Sequence, residues 1–393
     1  MVRRTPYAFL YLEDDYRFDV ESLLRGEAPP PAQEARIVAL ALLTGERHRL
    51  SREELGVLMA VPAERWVSGE ELDAEVVRTL VERGLLVSDA EEESPALLRE
   101  RDEALSANQW NLYAALYHYM TQWSGVELGE GDGDEQLAQS RRLTAAQHVT
   151  DHGPPPGPFP DERSKRTIRL PGLERDGALY RTLTKRRTTR AFEAESPMTL
   201  EELDAVLRYV FGCHGRADLV PELTRIRRTS PSGGGLHPVE AYPIVTNVAG
   251  IEPGIYHYNA REHALGLLTP ADPGDLRRTA TSFMCGQSYF GSAHVSFVLT
   301  ARFFRNHWKY RRHHKAYAGI LMDAAHLSQT LYLVSGELGL GAYLTIAINA
   351  RDIEERLGFD GVSEGVIAMA GCGRRAGGVS PLEFDASPEP AAL

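Results

Sequence analysis

Three consecutive glycines, Gly233, Gly234 and Gly235, follow Pro231 and Ser232 in the stretch SPSGGGLHPVEAYPIV, residues 230–245. A bare loop of this kind lets backbone approach a flat or anionic ligand and takes positive φ without strain. The glycines alone fit a flexible turn equally well. Upstream, Arg186, Arg187, Thr188 and Arg190 gather three guanidinium groups and a hydroxyl at the end of a helical pattern. Guanidinium forks suit bidentate contacts to phosphate, and the hydroxyl adds a donor. Arg374 and Arg375, after a strand pattern carrying Gly371 and Gly373, form a further cationic pair. Arg305–Tyr317, RNHWKYRRHHKAY, is dense in cations and aromatics. By residue type it suits a solvated loop or an RNA-binding patch.

Metal and disulfide chemistry find no support. Cys213, Cys285 and Cys372 are far apart and lack ligand spacing. No metal site or disulfide framework is therefore expected, and a reducing cytoplasm fits. Asp132–Glu135 lacks the oxygen spacing and closing glutamate of a calcium loop. His237 and His326 lie beside motif residues and are left unassigned, because a lone histidine is more often a packed one.

These residues need elements to hold them. A chain of 393 residues is longer than one compact domain usually runs, so two domains are expected. Its 43% hydrophobic and 25% charged residues are those of an ordinary globular protein. The net charge of −12 argues against general binding to nucleic acid or an anionic membrane. The N-terminus meets Glu13, Asp14 and Asp15 before any apolar core, so no signal peptide is expected. No apolar run approaches the roughly 20 residues that span a bilayer.

Residues 7–20 read as a strand-like piece, followed by prolines 29–31. From Glu34 the spacing of Ile37, Val38, Leu40, Ala41 and Leu43 predicts a helix. Ser51 and Glu54 form a capping box for a second helix, and a third is expected over 68–83, stopped by Gly84 before the short strand LLVSD. Three helices and a wing predict a winged-helix-like domain over residues 1–95. Between Glu34 and Glu93 there are 7 arginines, no lysine and 14 carboxylates, a net −7. That charge repels phosphate and disfavours DNA. A structural or dimer-stabilising module is the plain alternative.

Ala104–Trp123 predicts one aromatic helix with Trp110, Leu112, Tyr113, Leu116, Tyr117 and Met120 toward one side, for core or interface packing. Gly- and Pro-rich linker fills the rest of 96–166. The second domain, 167–376, interleaves helices (179–185, 199–215 and 323–336) with strands (242–248, 255–258, 294–303 and 365–370), an α/β or α+β pattern. Gly339–Gly341 marks the exit turn of the long apolar helix, the ending an ordinary C-cap takes. Residues 377–393 are expected to be a disordered tail.

Four segments in order, KRRTTRAF, the glycine loop, WKY (Trp308–Tyr310) and MDAAHLSQTLYLVSGELGLGAY (Met322–Tyr343), resemble the SagB-type (azoline oxidase, or peptide maturation dehydrogenase) branch of the nitroreductase superfamily. The resemblance covers roughly 167–375, with a weaker echo at QWNLYAALYHYMTQW. It implies an α+β nitroreductase-like fold that binds FMN and forms a homodimer. It implies FMN contacts from Arg186, Arg187, Thr188 and Arg190, from Pro231, Ser232, Gly233, Gly234 and Gly235, from Gly339 and Gly341, and from Arg374 and Arg375, with Arg374 the preferred of that pair. Thr188 stands where serine is commoner and keeps the hydroxyl. Lys309 and Tyr310 match the family's Lys-Tyr pair, implying a base and a proton relay for a dehydrogenation. The loop here is more basic and longer than the family pattern, so Lys315 and Tyr317 are fallback candidates. The substrate implied is a ribosomally made precursor peptide, with a leader-binding N-terminal module and a cyclodehydratase or other maturation enzyme as partner. An NAD(P)H-dependent flavin reductase and a non-catalytic flavin-bearing scaffold are the rival readings.

Overall fold

A computed structural model describes residues 1–15, 33–128, 134–159, 166–173, 175–378 and 380–383. Part of the strand-like piece (16–20), prolines 29–31, parts of the expected linker (129–133 and 160–165) and tail residues 384–393 lie outside the described residues. The chain forms two compact units. The first takes Met1–Gln122, Arg302–Gly319 and Phe359–Gly365; the second takes Trp123–Ala301, Ile320–Gly358 and Val366–Leu393. The division differs from boundaries at 95 and 167, because two later segments return to the N-terminal unit. Among the described residues no helix is long and apolar enough to cross a membrane.

In the first unit β1 (Val2–Arg4), β2 (Ala8–Asp15), β3 (Gln33–Ala41) and β4 (Glu46–Arg49) precede α1 (Arg52–Ala60) and α2 (Ala74–Glu82). Then come β5 (Leu86–Ser88), α3 (Glu93–Ala107) and α4 (Leu112–Thr121). β2, β3 and β4 form an antiparallel meander, while β5 pairs with β1. The helix expected from Glu34 is thus a strand. Residues 38–43 are all buried, so neither period is visible in the apolar run, and a turn at Gly45 (φ 79°) sends the chain back into β4. The Ser51 capping box is present, with Glu54 N donating to Ser51 Oγ at 3.1 Å and Ser51 N to Glu54 at 2.7 Å. The next helix starts at 74 rather than 68 because the Asp73 carboxylate accepts from the amides of Glu75 and Val76. Val2, Ala39, Val57, Leu58, Leu80 and Leu86 belong to the core these elements share.

The aromatic helix expected as one piece is two. Gln109 takes φ 55°, and the Asn111 side chain accepts from the amides of Tyr113 and Ala114, restarting the helix. Trp110, in the break, is buried and donates its indole N–H to Val362 O at 2.9 Å. Tyr113, Tyr117 and Met120, placed with it by sequence, are 65%, 56% and 60% exposed.

The second unit contains α5 (Asp134–His152), α6 (Ala178–Lys185) and α7 (Leu200–Val206), which runs into a π-helical turn at Leu207–Phe211. A hairpin follows, β6 (Gly215–Val220) and β7 (Leu223–Arg227), then β8 (Val239–Val245), β9 (Gly254–Asn259) and β10 (Ala264–Pro270). After α8 (Pro273–Phe283) and α9 (Ser288–Gly291) come β11 (Val295–Arg302), α10 (Phe303–Tyr310) and α11 (Lys315–Glu337). The last elements are β12 (Leu340–Thr345), α12 (Ala350–Leu357) and β13 (Glu364–Arg374). Six strands form one sheet in the order β10-β9-β8-β11-β13-β12. β8 and β11 read as near-continuous apolar runs because central strands are covered on both faces. They pair antiparallel from Val245↔Val295 to Val239↔Ala301. The sheet delivers two pieces of the site: β8 follows the glycine loop, and β13 ends at Arg374.

Candidate functional site

α6 stops at Lys185, and Arg186 leaves it with extended backbone, so residues 186–190 run as an open segment. The Arg186 guanidinium lies 5.3 Å from the Tyr332 ring centroid, and the Tyr332 hydroxyl shares a 3.0 Å hydrogen bond with Thr188 Oγ1. Thr189 N donates to Ala342 O at 2.9 Å, which lays the segment along β12. Gly341 is there to admit it: a Cβ at that position would lie 2.5 Å from Thr189 Oγ1. Two motifs far apart in sequence therefore interlock through a missing side chain.

A cavity of about 260 Å³ opens beside this segment, lined among others by Arg181, Lys185, Arg186, Gly339, Glu337 and Arg375. Three sequence-predicted elements meet there: the arginine segment, the glycine exit of α11 and the end of β13. Four cations face one carboxylate, and Glu337 already accepts from Thr182 Oγ1 at 2.8 Å. Gly339 takes φ 74° and donates to Gly336 O at 3.2 Å, the C-cap bond that ends α11.

Three expected arginines have other partners. Arg187 Nε lies 3.0 Å from Glu383, and Arg190 Nη1 donates to Leu382 O at 3.0 Å. Arg374 donates to Pro197 O at 2.9 Å and to Glu202 at 3.0 Å. Glu202 also accepts from the amide of Thr199 in the capping box of α7, so Arg374 ties β13 to that helix. Successive strand residues point to opposite sides, and Arg375, not Arg374, lines the cavity.

The glycine loop is held from α11. Asp323, 5% exposed, accepts from Ser232 Oγ and from Gly233 N at 3.0 Å. Ser232 Oγ in turn accepts from His237 N at 2.8 Å, and Ser230 Oγ shares a 2.6 Å bond with Thr330. Gly234 and Gly235 take φ 66° and 69°, the left-handed region that glycine adopts freely. A Cβ at Gly233 or Gly235 would meet nothing within 4 Å, so this side of the loop is open. Pro231, Gly233 and Gly234 are exposed. Sequence reasoning missed Asp323 as an anchor. Its signal was a lone carboxylate inside the apolar helix MDAAHLSQTLYLV.

Lys309 and Tyr310 lie on a helix rather than the expected loop. α10 ends with Arg311 at φ 29°. Lys309 is exposed, its Nζ 5.4 Å from the Tyr310 ring centroid. They belong to the first unit; the cavity and glycine loop belong to the second. Lys315 is exposed at the start of α11, whereas Tyr317 is a core residue, 5% exposed, its hydroxyl bonded to His118 Nδ1 at 2.9 Å. Around it pack Trp110, Phe303 and His118. His118 directs Nε2 at Gly361 O, 3.1 Å away, and burial lowers its pKa to about 4.

A six-stranded sheet, a cationic cavity and an open glycine loop, the last two served by one helix, make the second unit an α+β domain. The nitroreductase family model matches residues 183–374. The putative nitroreductase MJ1384 of Methanocaldococcus jannaschii is 30% identical over 191 residues, 48% of this chain and 88% of its own length. The chain belongs to the nitroreductase family, whose members are oxidoreductases, and its fold is the nitroreductase-like α+β fold. The trifolitoxin-processing protein TfxB of Rhizobium leguminosarum bv. trifolii is 28% identical over 164 residues, 42% of this chain and 44% of its own length. Among solved structures, the E. coli microcin synthetase McbBCD complex matches at TM-score 0.49 and 18% identity, covering 70% of this chain and 94% of that one. A putative nitroreductase from Ralstonia eutropha JMP134 matches at TM-score 0.39 and 24% identity, covering 56% and 89%. The four sequence segments thus lie in a nitroreductase-family domain with a peptide-processing protein among its relatives.

Proposed function

We propose that the chain is an FMN-dependent dehydrogenase acting on a ribosomally synthesised peptide. The observation that carries the reading is the cavity lined by Arg181, Lys185, Arg186 and Arg375. A phosphate monoester fits such a donor set, because charge-assisted hydrogen bonds to phosphate are the strong ones. The open side of Gly233 and Gly235 leaves room for a flat ring to lie against backbone. FMN, when bound, supplies a two-electron acceptor. The chain's own residues do the rest. Asp323 fixes the loop, Gly341 admits the arginine segment beside β12, and Arg186 and Arg375 hold the anion.

Lys309 is the base in this reading and Tyr310 its relay, the pair taking one proton from the substrate while a hydride leaves the adjacent atom. The Lys309 Nζ lies 5.4 Å from the Tyr310 ring centroid, which keeps the two groups of the pair side by side. The peptide half is supported by the likeness to the trifolitoxin-processing protein. An acidic N-terminal segment, net −7 over Glu34–Glu93, suits a peptide better than nucleic acid. A homodimer belongs to the same reading, supported by exposed Tyr113, Tyr117 and Met120 along α4. The reductase reading is second, favoured by the putative nitroreductase matched over 88% of its length.

FMN titration tests the cofactor half. Arg186→Ala with Arg375→Ala is expected to weaken binding, each lost contact costing about 1.5–3 kcal/mol. Arg374→Ala is expected to keep FMN and lower the melting temperature. A wild-type chain that takes up no FMN overturns the reading.

A further inference from the structure

Glu383 is a buried carboxylate, its side chain 3% exposed, set against the arginine segment. It pairs with the Arg187 guanidinium, whose Nε lies 3.0 Å away, and accepts from Arg190 N at 2.6 Å and from Ala191 N at 3.3 Å. One residue earlier, Leu382 O accepts from Arg190 Nη1 at 3.0 Å. The approach is fixed by a turn of its own. Glu383 N donates to Ser380 O at 2.8 Å, Leu382 N donates to Ser380 Oγ at 3.2 Å, and Ser380 is 7% exposed. Residues 380–383 therefore grip two side chains, those of Arg187 and Arg190, and two successive backbone amides of one segment. Glu383 does not line the cavity, whereas Arg186, at the other end of that segment, does.

From this geometry we propose that Glu383 is a positioning residue, a C-terminal clamp that fixes residues 187–191 and thereby aims Arg186 into the anion cavity. The proposal rests on the FMN reading above. It divides the arginines by task. Arg187 and Arg190 are neutralised or engaged by the C-terminal segment and hold the backbone, while Arg186 and Arg375 face the ligand. A buried carboxylate needs its cation and its amide donors together, so the three contacts act as a unit. The opposite arrangement, in which Glu383 occupies the place of the ligand's phosphate, makes the contrary prediction: its removal would tighten binding.

The test is FMN affinity of the full chain, read by flavin fluorescence, with folding checked by circular dichroism. Glu383→Ala is expected to weaken FMN about tenfold, the scale of one charge-assisted contact. Glu383→Gln keeps the shape, so it serves even where the alanine variant fails to fold. It is expected to weaken FMN as well, because its neutral amide carries no charge to pair with Arg187. Glu383→Asp is expected to recover part of the affinity, and Arg187→Ala added to Glu383→Ala to weaken it no further. Wild-type affinity or tighter binding in the alanine and glutamine variants overturns the clamp while leaving the FMN reading intact. A wild type that binds no FMN overturns both.

Discussion

Asp323 on α11 accepts from the Ser232 hydroxyl and, at 3.0 Å, from the amide of Gly233, so one buried carboxylate sets the first turn of the glycine loop. The loop is open on the side of Gly233 and Gly235, and its shape comes from the helix behind it. Asp323→Ala leaves a hydroxyl and an amide without their acceptor.

That variant is expected to cost about 1.5–3 kcal/mol of stability, the range for hydrogen bonds to a charged acceptor. It is also expected to loosen FMN, since the loop loses its fixed start. Thermal melting and an FMN titration check it, and unchanged FMN affinity would show that the loop is held by other contacts.

Gly341→Ala puts a methyl 2.5 Å from Thr189 Oγ1. Overpacking of this kind typically costs about 1–3 kcal/mol. The expected result is a lower melting temperature and displacement of the arginine segment. Thr189→Gly in the same chain should recover part of the loss. If the single variant melts as wild type does, the segment and β12 do not interlock.

Burial depresses the His118 pKa from 6.5 to about 4. The unfolded chain then binds this proton more readily than the folded one. The stability contribution is whole above about pH 6.5 and is lost as pH falls toward 4, up to about 3 kcal/mol. His307 and His294, also lowered by burial, act in the same direction. Melting followed from pH 7 to pH 4.5 is expected to show this slope, and His118→Gln to flatten it. An identical slope in the variant would assign the acid sensitivity elsewhere.

Much of this was legible in the sequence. The long apolar helix, the two central strands and the arginine segment announce themselves through long apolar runs or adjacent cations. The stretch 34–43 did not, because burial on both faces erases the difference between a helical and a strand period. Choosing Arg375 over Arg374 required the pleat at the end of β13 and the position of Glu202. The partners of the site lie far off along the chain. Asp323 is 90 residues from Gly233, and Glu383 is 193 from Arg190. No local pattern marks such pairs.

Peptide dehydrogenation is read from the intact mass of a precursor peptide incubated with the FMN-loaded chain. Loss of 2 Da, two hydrogens, per oxidised site is expected in the wild type. Lys309→Ala is expected to retain FMN and to be slower by about 10²–10⁴-fold, the usual worth of a general base. Tyr310→Phe, which deletes only the hydroxyl, separates relay from packing. A peptide of unchanged mass, together with brisk NADPH oxidation in the presence of a quinone, would rule out peptide dehydrogenation and establish the reductase.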